Sequence, residues 1–165
     1  MTQILVAALY LASIPATSFC NTDAWDALRW RNRVLVVMAP SAQDANLLRQ
    51  LRIWKAHEAG NEERHLVLAE LCGDGTSRLN GASLAPEQQE RLRQRFAWDG
   101  KSFEVVLVGK DGGVKLRRTE PVSAEALFAI IDSMPMRRRE MREQNQSEGT
   151  NHGRFRTSEL LVTGS

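Results

Sequence analysis

Three short apolar runs punctuate this chain, and what lies between them sets the expected fold. Arg33 to Ala39, RVLVVMA, is a continuous aliphatic run stopped by Pro40, and Val105 to Val108 is another. Runs without polar alternation predict strands covered on both faces. Leu66 to Leu71, LVLAEL, is the remaining strand candidate. Between the first and this one, Ser41 offers a helix cap with Asp44 as a capping-box partner. Leu47, Leu51 and Trp54 recur at helical spacing, with Leu48 beside them, and Gly60 supplies a stop. A helix between two strands predicts a parallel, right-handed crossover. Cys72 to Ser83 reads as a loop; Pro86 and Glu87 open a second helix whose inward face carries Leu92 and Phe96, and Trp98-Asp99-Gly100 turns the chain into the central strand.

The stretch Phe103 to Arg118 organises the rest. After the buried run, Asp111-Gly112 and then Gly113 supply the positive φ that a hairpin turn or bulged variant needs. Val114 and Leu116 alternate with Lys115 and Arg117, predicting a half-buried edge strand whose outward cations discourage edge pairing. Pro121 ends it. Ser123 caps a last helix with Leu127, Ile130, Ile131 and Met134 as its buried stripe, interrupted at Pro135. The predicted order is β-α-β-α-β-β-α, an α/β fold with a mixed sheet.

The ends of the chain read differently. Ile4 to Ile14 is an apolar block broken by Pro15 and followed by Ala16-Thr17-Ser18. It is too short for a span of about 20 residues, but has the form of a signal-peptide hydrophobic region, although no Lys or Arg precedes it. Residues 1–18 are therefore expected to be a signal peptide, with cleavage after Ser18 or alternatively after Cys20, and the location is expected to be periplasmic or secreted. Residues 19–32 form a lead-in, 33–142 the domain, and 143–165 a polar tail expected to be disordered.

Composition narrows the chemistry. At 165 residues, 42% hydrophobic and 25% charged, the chain suits one domain with flanking segments, and a net charge of +2 is too mild for nucleic-acid binding. The cysteines, Cys20 and Cys72, make neither a zinc site nor a CxxC. In an oxidising compartment they can pair, unless cleavage removes Cys20. Phe19, where a lipoprotein signal carries a small residue, argues against acylation of Cys20. Cys72 reads first as a small buried hydrophobe at a strand end.

A crossover unit, a linking helix and a hairpin followed by a helix is the thioredoxin-like arrangement. Asn32-Arg33 before the first strand, the GKDGGVKLR hairpin, and Ile131 to Arg137, IDSMPMR, with Glu140-Met141 resemble the bacterial members of the P-DUDES group. That family of unknown function is related to vertebrate extracellular-matrix proteins, including sushi-repeat proteins. The resemblance spans about Trp25 to Arg142 and implies a thioredoxin-like fold and export, with no established reaction. Where a thioredoxin carries its dithiol, this chain has Pro40-Ser41-Ala42-Gln43-Asp44, and Lys101-Ser102-Phe103 provides no cis-proline.

The residue patterns leave few candidate sites. His57, His65 and His152 are scattered, so no metal and no cofactor is expected. Ser41 near Asp44 is explained by capping, and the KDGG turn lacks the helix start of a phosphate cradle. Lys110, Lys115, Arg117 and Arg118 on the hairpin, with Arg137, Arg138 and Arg139 after the last helix, are the anion-binding candidates. They are expected to form one patch facing an acidic glycan, lipid headgroup or acidic protein surface. The expected function is an exported binding or scaffold module without dithiol chemistry. The alternative is a peroxidase-like or thiol-dependent oxidoreductase using Cys72.

Overall fold

A computed structural model describes residues 24–146; the expectations for the signal peptide, Cys20, His152 and the end of the tail lie outside the described residues. A 3₁₀ turn at Asp26–Leu28 leads into β1 (Arg33–Ala39), followed by α1 (Ala45–Ala56), α2 (Glu58–Glu63), β2 (Leu66–Cys72), β3 (Arg78–Leu79), β4 (Ala82–Ser83), α3 (Pro86–Phe96), β5 (Glu104–Val108), β6 (Val114–Arg118) and α4 (Ala124–Ser133). Residues 135–146 form a further helical segment. The strands make one mixed sheet in the order β4-β3-β2-β1-β5-β6. β1 and β2 run parallel, as the intervening helices require, and β5 returns antiparallel on the other side of β1.

The period of two along the strands divides the core into two faces. Leu35, Val37 and Ala39 of β1 pack with Leu47 of α1 and with Leu127 and Ile131 of α4. Val34, Val36 and Met38 pack on the opposite face with Leu92 and Phe96 of α3 and with Trp25. Every residue of β1 is buried, as an unbroken aliphatic run predicts for a strand covered on both sides. The Gln50 amide is buried and pairs with both backbone groups of Val122 (3.2 and 2.7 Å), which ties α1 to the loop leading into α4.

Several boundaries differ from the sequence reading. Asp44, not Ser41, caps α1, accepting from the Asn46 and Leu47 amides at 2.9 and 3.0 Å, because a turn closed by the Asp44 amide on the Ser41 carbonyl comes first. Gly60 does not stop a helix. The break falls at His57 and Gly60 sits within α2, where an added Cβ would lie 2.8 Å from the Phe128 ring. The expected loop after Cys72 contains a short hairpin, β3–β4, turning at Asn80 and Gly81, both at positive φ. On β6 Leu116 is buried, whereas Val114 is 52% exposed, because the register with β5 shifts between Leu107 and Val108. Pro135 ends α4 but also opens the next helical segment, where its missing N–H costs nothing. That segment runs through residues 143–146, so the polar tail begins later than the sequence predicts. Among the described residues no helix is long and apolar enough to cross a membrane.

Candidate functional site

The two ends of β1 are built in opposite ways. At its C-terminal end, where a thioredoxin carries its dithiol, backbone closes on backbone, and Arg93 donates to the Cys72 carbonyl at 2.8 Å. The Gly73 amide donates to the Ala39 carbonyl at 2.9 Å, and a Cβ on Gly73 would lie 2.5 Å from the Gly100 carbonyl oxygen and 2.6 Å from that of Pro40. Asp74 reaches across to the Ala42 amide at 2.9 Å. Cys72 is 1% exposed, and burial pushes its thiol above the usual value, only partly opposed by a hydrogen bond with Thr76. A thiol so placed is a poor nucleophile.

At the N-terminal end of β1, charged side chains are drawn inward and matched. Arg33 opens the strand with 1% exposure. It donates through Nη1 to the Arg64 carbonyl at 2.8 Å and grips both carboxylate oxygens of Glu140 at 3.2 Å each. Lys110, just after β5, lies 2.7 Å from the same carboxylate and donates to Nδ1 of His65 at 3.1 Å. Arg137 is wholly buried. Its Nε donates to Asp132 at 3.2 Å, and its Nη1 and Nη2 reach the backbone carbonyl and the carboxylate of Glu63. Arg64 completes the circuit, 2.7 Å from Asp132 and 3.1 Å from Glu63, with its guanidinium 4.3 Å over the Phe128 ring. The clasp joins β1, the α2–β2 corner, the β5–β6 turn, α4 and the last helical segment.

The titration behaviour follows from this matching. Burial pushes the Glu140 carboxyl up, but hydrogen bonds from Lys110 and Arg33 more than offset it and hold the group below its ordinary range. Asp132 is lowered in the same way, burial being outweighed by Arg64 and Arg137. Burial and then the charge of Lys110 push His65 down, which keeps the ring neutral and able to accept at Nδ1. Among the described residues no cluster of histidine, cysteine or carboxylate side chains suits a metal ion.

The anion candidates therefore part company. Lys110 and Arg137 meet at Glu140 inside the clasp, Lys110 with only 8% exposure, instead of contributing to a surface patch. The physical reason is that a guanidinium or ammonium leaves water only beside carboxylates, and Glu63, Asp132 and Glu140 supply them. Arg117 turns toward α3, pairing with Glu104 at 2.5 Å and with the Phe96 carbonyl at 2.9 Å. Arg118 is exposed and folds back on the Arg117 carbonyl at 3.1 Å; Arg138 and Arg139 are exposed on the helical segment. Lys115 pairs with Asp111 at 2.7 Å and remains at the rim.

Arg33, Arg64, Glu63, Asp132 and Glu140 were not among the sequence candidates. The available signal was that Arg33 and the Asp132 to Glu140 stretch lie in the very motifs that carried the family resemblance. Against the clasp lies a cavity of about 450 Å³, with Arg33, Lys110 and Lys115 on one wall and Ile130, Met134 and Met136 on the other.

A family model described as a domain of unknown function, DUF4174, matches residues 25–140. The chain is 29% identical over 114 residues to a sushi repeat-containing protein, SRPX2, of Xenopus laevis, and 32% identical over 114 residues to the sushi repeat-containing protein SRPX of Homo sapiens. Each match covers 67% of this chain and 25% of the relative. Coiled-coil domain-containing protein 80 of Danio rerio is 27% identical over 129 residues, covering 68% of this chain and 15% of the relative. The chain thus spans a quarter or less of the length of these relatives. No solved structure matches.

Proposed function

We propose that this chain, which belongs to the DUF4174 family, is an exported, thioredoxin-like binding module without dithiol chemistry. The observation that carries the reading is the burial of Cys72, the one cysteine among the described residues, at a strand end sealed by backbone. The strand order β2-β1-β5-β6, parallel across β1 and β2 and antiparallel beyond, supports the thioredoxin-like arrangement, with α1 and α4 on one face and α3 on the other. The apolar block before Pro15 and the small residues Ala16 to Ser18 support export to a periplasmic or secreted location. Binding falls to the opposite end of β1, where the clasp fixes the wall of the open cavity.

The test is chemical. In a chain carrying Cys20→Ser, an aromatic disulfide reagent is expected to label Cys72 only once urea unfolds the protein, and the native chain is expected neither to reduce insulin disulfides nor to consume peroxide. Peroxide turnover that disappears in a folded Cys72→Ala variant would replace this reading with the thiol-dependent oxidoreductase.

A further inference from the structure

We infer that the cavity beside the clasp takes one small amphiphilic monoanion, an alkyl or aryl carboxylate, with its charge at Lys110 and Lys115 and its apolar body along Ile130, Met134 and Met136. The inference rests on the binding-module reading and names the ligand class for that site. The volume, about 450 Å³, falls within the range of small-molecule pockets. The lining is mixed. Gly109, Lys110, Asp111 and Lys115 bring the polar turn, while the junction of α4 with the last helical segment is apolar except for Ser133, whose hydroxyl is spent on the Ile130 carbonyl at 2.7 Å.

Donor capacity on the polar wall is not exhausted. An ammonium has three N–H groups; Lys110 spends two, on Glu140 and His65, and Lys115 spends one, on Asp111. Arg33 also lines the cavity but is 1% exposed, with its guanidinium already held by Glu140 and the Arg64 carbonyl, so the ammonium groups are left to meet a ligand. The charge balance selects a monoanion. The cations Arg33, Lys110 and Lys115 face Asp111, with Glu140 behind them, so the local excess is close to a single positive charge. Another cavity, about 300 Å³ beside Trp25 and Gly112, offers less. Arg95 there is held over the Trp25 ring and on the Gly112 carbonyl, and Arg29 lies over the Trp30 ring.

Calorimetric titration of the full chain with decanoate, decanol and acetate tests the inference. Decanoate is expected to bind at one saturable site, about tenfold or more tighter than decanol, which lacks the charge, or acetate, which lacks the body. Lys115 is exposed, so Lys115→Met keeps the fold; it is expected to weaken decanoate several-fold and leave decanol unchanged. Met136→Glu places a carboxylate in the first turn of the helical segment, which favours that helix, and is expected to abolish decanoate binding without unfolding the protein by circular dichroism. Equal affinity for decanoate and decanol, decanoate binding unmoved by both variants, or no saturable binding overturns the inference. Those outcomes leave the non-redox reading standing, since it fails only through Cys72 chemistry.

Discussion

The two ends of β1 show two ways to finish a buried strand. At Ala39 the chain is sealed by backbone, with Gly73 placed where Pro40 and Gly100 leave no room for a side chain. At Arg33 it is sealed by charge, with guanidinium and ammonium groups matched to Glu140, Asp132 and Glu63. A backbone seal is rigid and chemically silent. A charge seal holds polar groups at the wall of a cavity, ready to meet a ligand, but any loss of one partner strands the others. It is to the charged end that recognition is proposed to belong.

The sharpest way to break the comparison is to remove the hub of the charged end. Glu140→Leu strands Arg33 and Lys110, and breaking a buried pair by deleting one partner costs about 3 kcal/mol or more, as chemical denaturation will read. At the backbone end, Gly73→Ala forces carbonyls apart and is expected to cost about 2 kcal/mol. Gly60→Ala is the control. Its obstacle is the Phe128 side chain, which can turn, and the helical gain of about 1 kcal/mol for alanine over glycine offsets much of the strain, so little net change is expected.

Acid acts at both ends, on Asp74 at one, which Thr76 and the Ala42 amide hold below its ordinary value, and on buried pairs at the other. Glu140 and Asp132 have native pKa values below their ordinary 4.5 and 3.8, so the unfolded chain takes up protons first. Their stabilisation is complete above those ordinary values and is lost as pH falls through them toward the depressed native ones. His65, lowered from 6.5, adds a smaller loss that starts as pH drops through that value. Thermal midpoints measured across this range are expected to fall in the native chain and to fall less in a Glu140→Gln, His65→Asn variant; asparagine suits the positive φ of 48° at residue 65. The rim is expected to respond as little as the Gly60 control. Lys115→Gln loses an exposed pair with Asp111 and is expected to change stability by less than about 0.5 kcal/mol, which makes it a clean probe of binding.

Much of the fold was legible because the aliphatic runs at Val34 and Val105 need cover on both faces, which marks them as central strands. The β3–β4 hairpin was missed, although Asn80-Gly81 is a strong turn signal, because flanking strands of two residues show no alternation. The positive residues were legible as a group but not their fates. Arg137 and Arg138 are neighbours in sequence, yet one is wholly buried and the other exposed, since the helical segment turns one toward Glu63 and Asp132 and the other to water. Such pairings join residues as distant as Arg33 and Glu140, and no local pattern encodes them.

Backbone amide shifts recorded by NMR while decanoate is added compare the two ends in a single experiment. The perturbations are expected to cluster at Gly109 to Lys115 and at Ile130 to Met134 with Met136, while Ser41 to Asp44 and Cys72 to Ser77 stay unmoved. Shifts centred on the Cys72 end, with the β5–β6 turn silent, would contradict the assignment of recognition to the charged end of β1.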